Sequence, residues 1–164
     1  AVGADKGTVA WSHKIGGKVR ATPLVSGELA VVGSFEGRVV AVRAADGTRV
    51  WAAELGHAFY SSPCLAGDAV VLGCHDGHLH ALDLATGAPR FEAPTRGPVV
   101  SSPVAVGEAL LASSTDGALY LVDAGGRITH RTVVAQSIQS SPAVAAGEVY
   151  VGSSDGLHAL RLLP

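Results

Sequence analysis

A repeat of about forty residues runs through nearly the whole of this chain of 164 residues. Cutting the sequence at this period gives units that open at Trp11, Trp51, Phe91 and Arg131. Each unit carries a proline, a glycine followed by an acid (Gly27 to Gly147 in steps of forty), and a second acid–glycine pair. The fourth unit is one residue out of step because "DAGGR" (123–127) is one residue shorter than "DLATGA" (83–88). A period of this length predicts stacked, equivalent structural units.

The residues between the glycines predict β-strands. Each unit has four short runs rich in Val, Leu and Ala that show some alternation and no helical period. The acid–glycine pairs indicate hairpin turns, because Gly accepts a positive φ and Asp tolerates it. Four antiparallel strands in about forty residues are typical of one blade of a β-propeller. We therefore predict an all-β fold, a β-propeller of four-stranded antiparallel blades.

The repeat also sets the expected domain organisation, which is one propeller domain over residues 1–164. We predict blades at 18–54, 58–94, 98–133 and 137–161, and one further outer strand at 7–13. The last blade lacks an outer strand in this scheme, so the strand at 7–13 is expected to complete a blade and remove an exposed sheet edge. With 48% apolar but only 5% aromatic residues, the core must consist mainly of Val, Ala and Leu.

The ends of the units resemble a known family. "AVRAADGTRVW" (41–51) and "ALDLATGAPRF" (81–91) resemble the tryptophan-docking motif of PQQ-type propeller repeats, and the "SSP" strands are also typical of that group. Arg43, Phe91 and Arg131 depart from the motif, which has Asp at the first position and Trp at the other two. The resemblance implies that Trp11, Trp51 and Phe91 dock between blades. The group includes quinoprotein dehydrogenases, BamB-like outer-membrane assembly lipoproteins, and sensor regions of bacterial kinases.

The same resemblance raises the possibility of PQQ-dependent oxidation, which we do not expect here. Enzymes of the family hold the cofactor between a Trp floor and a vicinal Cys–Cys disulfide, beside a calcium ion with an amide ligand. This chain has no Cys–Cys pair and no Asn, and both Trp residues are assigned to docking. We expect no catalytic residues, no cofactor and no metal.

Charge and hydropathy exclude two classes of partner. A net charge of −2 provides no basic footprint for nucleic acid, and no apolar run approaches the ~20 residues of a membrane span. The compartment stays open, with a lean towards an extracytoplasmic, periplasmic location.

Several local patterns suggest chemistry but have simpler explanations. "GSSDG" (152–156) matches G-x-S-x-G, yet its counterparts in the other units indicate a plain hairpin. The recurring serine pairs predict a small polar lining of the central channel. His75, His78 and His80 lie close together, but three local histidines without an identified carboxylate or Cys partner are a weak metal signal. Cys64 and Cys74 are expected to be free thiols.

A binding surface is the remaining functional candidate. One position of the innermost strand varies between blades while its neighbours repeat, and it holds Arg20, Tyr60, Val100 and Gln139. Loops on a rigid scaffold commonly carry function. We predict a binding face formed by Arg20, Tyr60 and Gln139, with His57 and Arg96 nearby.

Three architectures are compatible with this sequence. It could form a four-bladed ring, half of an eight-bladed ring of two copies, or a piece of a longer propeller that starts without Met. We favour a homodimer that closes one eight-bladed ring, because C₂ closure leaves no free edges. The expected function is a non-catalytic scaffold for protein interaction or assembly. The alternatives are a ligand-sensing extracytoplasmic module of a larger protein and a degenerate fragment of a PQQ-dependent dehydrogenase.

Overall fold

The computed structural model describes residues 1–3 and 7–161, which form four separate β-sheets. Sheet 1 contains β1 (Leu24–Ser26), β2 (Leu29–Gly33), β3 (Arg38–Arg43) and β4 (Arg49–Glu54). Sheet 2 contains β5 (Cys64–Ala66), β6 (Ala69–Gly73), β7 (His78–Asp83) and β8 (Pro89–Pro94). Sheet 3 contains β9 (Val104–Val106), β10 (Ala109–Ser113), β11 (Ala118–Val122) and β12 (Ile128–Val133). Sheet 4 contains β13 (Ala143–Ala145), β14 (Glu148–Ser153) and β15 (Gly156–Arg161).

Every sheet is an antiparallel meander in which each strand pairs with the next along the chain. This is the predicted all-β propeller architecture, and the fold class is confirmed. No helix in the described part of the chain is long and apolar enough to cross a membrane.

The sheets pack face to face through three apolar clusters, one at each contact between consecutive sheets. Val39 and Trp51 of sheet 1 pack with Leu72 of sheet 2 in the first cluster. Leu79 of sheet 2 packs with Tyr120 of sheet 3 in the second. Leu111 and Leu119 of sheet 3 pack in the third with sheet 4, through Ile138, Val149 and Val151. Aliphatic residues dominate all three clusters, as the composition required.

The first hairpin turn of sheet 4 differs from its counterparts. In sheets 1 to 3 the turn begins with a left-handed glycine, for example Gly107 with φ of 60°. In sheet 4 the strand residues Ala145 and Glu148 pair, so Ala146 takes that first position with φ of 52°, and Gly147 takes the second. The sequence alignment of Gly147 with Gly107 is therefore wrong. Sheet 4 is offset from sheet 3 by 39 residues, so Gly147 corresponds to Glu108, and both turns contain two residues.

Two tryptophans connect neighbouring sheets in the same way. The Trp51 indole Nε1 donates a hydrogen bond of 2.9 Å to the Leu84 carbonyl of sheet 2. Its ring covers Gly87, where an added Cβ would lie 2.5 Å from a ring carbon. Trp11 makes the same 2.9 Å bond to the Ala44 carbonyl of sheet 1 and covers Gly47. Phe91 covers Gly126 of sheet 3.

The amino-terminal segment does not form the strand predicted at 7–13. Val9 makes a single antiparallel bridge to Val2, and the segment folds back on residues 1–3. Trp11 holds it against sheet 1, whereas the three-stranded sheet 4 lies at the other end of the row. Within one chain, residues 7–13 therefore do not complete the last blade.

Candidate functional site

One end of the propeller is built from two kinds of loop. The turns between the second and third strands contact the loops that leave each fourth strand. The backbone N–H groups of Leu55 and Thr95 donate to the carbonyls of Gly37 and Gly77, at 2.8 and 2.7 Å. These repeated bonds place the two kinds of loop side by side on one surface, which we call the loop face.

A row of stacked side chains crosses the loop face over sheets 1 and 2. The Arg20 guanidinium lies 5.2 Å from the centroid of the Phe35 ring, within the range of a cation–π contact. The Phe35 and Tyr60 ring centroids are 4.3 Å apart, and those of Tyr60 and His75 are 5.7 Å apart. We call these four side chains the stacked row. It offers flat aromatic surface and one fixed positive charge to a binding partner.

The structure brings some of the predicted binding residues together and leaves others apart. Arg20 and Tyr60 meet through Phe35, a residue that the sequence did not single out. His57, Arg96 and Gln139 are exposed, and their side chains make no hydrogen bond or ion pair within the described residues. A second position, in the turns between the second and third strands, also varies between blades and holds Phe35 and His75. These side chains alternate in space with Arg20 and Tyr60, and this variation could have identified them.

The prediction that the serine pairs line a channel is wrong for Ser61 and Ser101, the first serines of two of the pairs. Ser61 and Ser101 are buried, and the Ser61 hydroxyl exchanges 2.8 Å hydrogen bonds with the Gly73 backbone. The second serines connect the blades: the N–H of Ser62 donates to the Ser102 hydroxyl, and the N–H of Ser102 donates to the Ser141 hydroxyl, both at 2.9 Å. Thr22 begins this ladder with a bond to Ser62.

A compact polar cluster lies beneath the loop face in sheet 2. His80, only 5% exposed, places its Nε2 atom 2.8 Å from a carboxylate oxygen of Asp76, and its Nδ1 atom 3.4 Å from Glu92. The ligand atoms of Cys74, Asp76 and His80 all lie within 4.8 Å of one another. His75 stacks on Tyr60, so the three histidines of the sequence do not act together. The Cys74 thiol and the Asp76 carboxylate are the partners that the sequence pattern did not reveal.

The groups in this cluster have shifted acidities. Burial raises the pKa of the Cys74 thiol to about 12. Burial acts to raise the pKa of Asp76 as well, but hydrogen bonds from His80 and from the His78 N–H hold it below its ordinary value. Cys64 is half-buried and belongs to the contact between sheets 2 and 3, and both cysteines are free.

The equivalent position of sheet 3 is a closed hydrogen-bond network. The Tyr120 hydroxyl donates to Asp116 at 2.6 Å, and the Arg131 guanidinium pairs with the same carboxylate at 2.8 Å. Arg131 pairs across the sheet with Tyr120 as Glu92 does with His80. Sheet 3 therefore neutralises its buried acid with a cation, whereas sheet 2 adds a second carboxylate.

Ser153, Asp155 and His158 form a small triangle in the turn that contains the G-x-S-x-G match. The Ser153 hydroxyl lies 2.8 Å from His158 Nε2 and 2.5 Å from Asp155. Asp155 also approaches His158 at Nε2, at 3.3 Å. A nucleophilic triad needs the acid on the other ring nitrogen, where it orients the base. This geometry is that of a hairpin turn stabilised by its own side chains.

The loop face, the docking tryptophans and the four-stranded blades point to one group of proteins. The sequence profile of the family described as outer membrane protein assembly factor BamB matches residues 1–162. The chain belongs to this family. The PQQ-type repeats identified in the sequence are thereby confirmed, and the family is BamB-like.

Solved structures extend the comparison. BamB from Moraxella catarrhalis superposes with a TM-score of 0.84 at 24% identity, over 94% of this chain and 50% of that protein. The computationally designed proteins Ika4 and Ika8 both superpose with a TM-score of 0.83 at 16% identity. This chain covers 99% of Ika4 but 50% of Ika8. It thus spans half the length of the BamB structure, and these likenesses concern the fold. No curated protein sequence matched the chain.

Proposed function

We propose that this chain is a non-catalytic propeller scaffold that closes a ring with a second copy of itself and binds a protein on its loop face. The main support for the ring is that apolar side chains are exposed at both ends of the series of sheets, on sheet 1 and on sheet 4. Val19 is 44% exposed, whereas Phe59, Val99 and Ile138 of the other blades are 0% exposed. Leu157 is 76% exposed, whereas Leu79 is 0% and Leu119 is 5% exposed.

These exposed residues belong to two faces that the repeat makes complementary. The pattern of strand pairing assigns Leu157 to the position of Leu79 and Leu119, each of which packs against the following sheet. Val19 precedes sheet 1 as Phe59 precedes sheet 2. Sheet 4 of one copy and sheet 1 of another would therefore repeat the contact seen between consecutive sheets. Burying a side chain such as Leu157 contributes about 2 kcal/mol.

The open face of sheet 1 also has room for this contact. A cavity of about 420 Å³ lies between sheet 1 and the amino-terminal segment, with lining residues that include Val2, Val9, Ala30, Val32 and Val40. Its lining is mostly apolar, as at the contacts between blades. A neighbouring blade would fill this space.

The serine ladder supports the same partner. The ladder runs from the N–H of Thr22 to the hydroxyl of Ser141, one bond for each pair of consecutive blades. Among residues 1–3 and 7–161, neither the Ser141 N–H nor the Thr22 hydroxyl has the corresponding bond. A second copy would supply Thr22 for Ser141, and its own Ser141 for Thr22.

Trp11 has the position expected of a tryptophan on the outer strand of a blade that precedes sheet 1. It docks on sheet 1 as Trp51 of the outer strand β4 docks on sheet 2. The blade expected before sheet 1 in a closed ring is sheet 4 of the second copy, which has three strands. This chain also covers 50% of the BamB structure and 50% of Ika8. Exchange of amino-terminal segments would then complete both incomplete blades.

The stacked row is the surface we assign to the protein partner. Aromatic and Arg side chains are enriched among the residues that dominate binding at protein interfaces. The family description, an assembly factor, agrees with a protein ligand. A non-catalytic role is supported by Ser153, Asp155 and His158, whose arrangement lacks the acid-to-base orientation of a hydrolase.

Light scattering coupled to size exclusion tests the ring. We expect a mass of twice 16.5 kDa over a wide range of concentration. Leu157→Asp should yield a folded monomer, because it places a carboxylate in an apolar contact. Val133→Asp is the matched control: Val133 is 59% exposed on the outer strand of sheet 3, and this variant should remain dimeric. A wild-type chain that is monomeric at every concentration would overturn the proposal.

A further inference from the structure

We propose that Cys74, Asp76 and His80 bind a transition-metal ion of the zinc class in sheet 2. A thiolate, an imidazole and a carboxylate are the three side-chain types that coordinate zinc in proteins. Zinc–ligand bonds of about 2.0 to 2.3 Å in a tetrahedral site separate the ligand atoms by roughly 3.3 to 3.7 Å. The ligand atoms here lie within 4.8 Å of one another, so small side-chain rotations bring them to these separations.

His78 adjoins this cluster and would have to shift to become a fourth ligand, since the atoms within 4.8 Å of one another are those of Cys74, Asp76 and His80. Its Nδ1 atom is buried and makes no hydrogen bond, although it lies 3.5 Å from a carboxylate oxygen of Asp76. A buried polar atom without a partner loses free energy in the folded protein. A metal ion beside Asp76 would supply the missing partner. Four ligands from one hairpin would close the coordination sphere of a structural site.

Glu92 provides the outer support that metal-bound histidines commonly have. His80 faces Asp76 with Nε2 and lies 3.4 Å from Glu92 with Nδ1. A ligating imidazole usually donates its second ring N–H to a carboxylate or carbonyl, which orients the ring. With Nε2 on the metal, Glu92 would accept the Nδ1 proton of His80. The His80 imidazole would thus bind the metal beside Asp76 and donate its other ring N–H to Glu92.

The other blades show what this position looks like without a metal. In sheet 3 the equivalents are Ser114, Asp116 and Tyr120, and Arg131 supplies the positive charge. In sheet 1 they are Ser34, Glu36 and Val40, and the Glu36 side chain is exposed. Sheet 2 alone combines a buried thiol, a buried imidazole and two carboxylates around one point. A bound cation would take the electrostatic role of Arg131.

Cobalt(II) is the probe for the decisive experiment, with zinc as the competitor. Titration of the intact, reduced protein should saturate at one ion per chain. It should show a thiolate-to-cobalt charge-transfer band and the visible bands of a tetrahedral site. Zinc should remove both signals. Cys74→Ser should abolish the charge-transfer band and weaken binding at least tenfold, and Glu92→Gln should weaken binding about tenfold.

Matched variants separate the site from general thiol or histidine binding. Cys64→Ser removes the other thiol, and His75→Ala removes an exposed histidine of the adjoining turn. Both should keep wild-type cobalt spectra. His80→Tyr reproduces the Tyr120 of sheet 3 and gives a second test if Cys74→Ser does not fold. A wild-type protein that binds cobalt no better than His80→Tyr, or a charge-transfer band lost with Cys64→Ser instead, would overturn the proposal.

Discussion

A single alanine shows how strictly the turn geometry of this repeat is set. Ala146 has φ of 52°, a left-handed conformation that the other blades assign to glycine. The left-handed region costs a residue with a Cβ roughly 1–2 kcal/mol, a cost that glycine avoids. The shorter turn at 123–127 offsets sheet 4 by 39 residues, so Ala146 takes the first position of its hairpin turn and Gly147 the second.

We expect Ala146→Gly to raise the free energy of unfolding by about 1 kcal/mol, because relief of the strain exceeds the entropy cost of glycine. Urea denaturation measures the change. Ala145→Gly is the control, since Ala145 is the adjacent strand residue and glycine should destabilise it by about 0.5–1 kcal/mol. Equal losses of stability in the two variants would contradict the expectation.

Acid should destabilise the protein partly through Asp83. Hydrogen bonds from Arg90 and Thr86 lower the pKa of Asp83 to about 2. The unfolded chain therefore binds the proton at a higher pH than the folded protein, and stability is lost as the pH falls from about 4 to about 2. Asp83→Asn should reduce this acid-induced fall in melting temperature. Glu108→Gln, which changes an exposed turn acid, should keep the wild-type profile.

At the scale of the element, the second and third blades each pack under an aromatic residue of the blade before them. Trp51 combines a 2.9 Å hydrogen bond with ring contacts over Gly87, and Phe91 repeats only the ring contacts over Gly126. The ring therefore supplies the packing between sheets, and the indole N–H adds a bond that the third blade does without.

We expect Trp51→Ala to destabilise the protein by roughly 3–5 kcal/mol, since it leaves a cavity between sheets 1 and 2. Trp51→Phe should cost only about 1–2 kcal/mol, the value of one hydrogen bond and the smaller ring. Thermal melting followed by circular dichroism compares the two. Similar costs for both variants would show that the hydrogen bond, and not the ring, carries the contact.

At the scale of the whole molecule, the proposed ring predicts that stability depends on protein concentration. An assembly that closes apolar end faces stabilises the folded state by mass action. We expect the melting temperature to rise with protein concentration in the wild type and to become independent of concentration in Leu157→Asp. We also expect added salt to leave the mass of the proposed dimer unchanged, because the end faces that would meet are apolar rather than charged.

The candidate binding surface could be predicted from the sequence only in part. The variation at Arg20 and Tyr60 against a constant background could be read from the sequence. Phe35 and His75 could not, because each lies fifteen residues after Arg20 or Tyr60 in the chain and reaches it only in the folded blade. The contact between Phe35 and Tyr60 also requires that two blades stack. Cys74 and His80 lie on either side of a turn, so the distance between Sγ and Nε2 depends on the hairpin.

The sequence by itself determined the blade. Its glycine turns and alternating apolar runs are local signals, and their period of about forty residues specifies how many strands form each unit. Tertiary structure alone decided which side chains meet between blades, that Ala146 takes the left-handed turn position, and that Trp11 docks on sheet 1 and leaves sheet 4 of the same chain with three strands. Those outcomes depend on how one sheet packs on the next. The repeat specifies the common packing of consecutive blades, and the individual side chains of each blade then change its details.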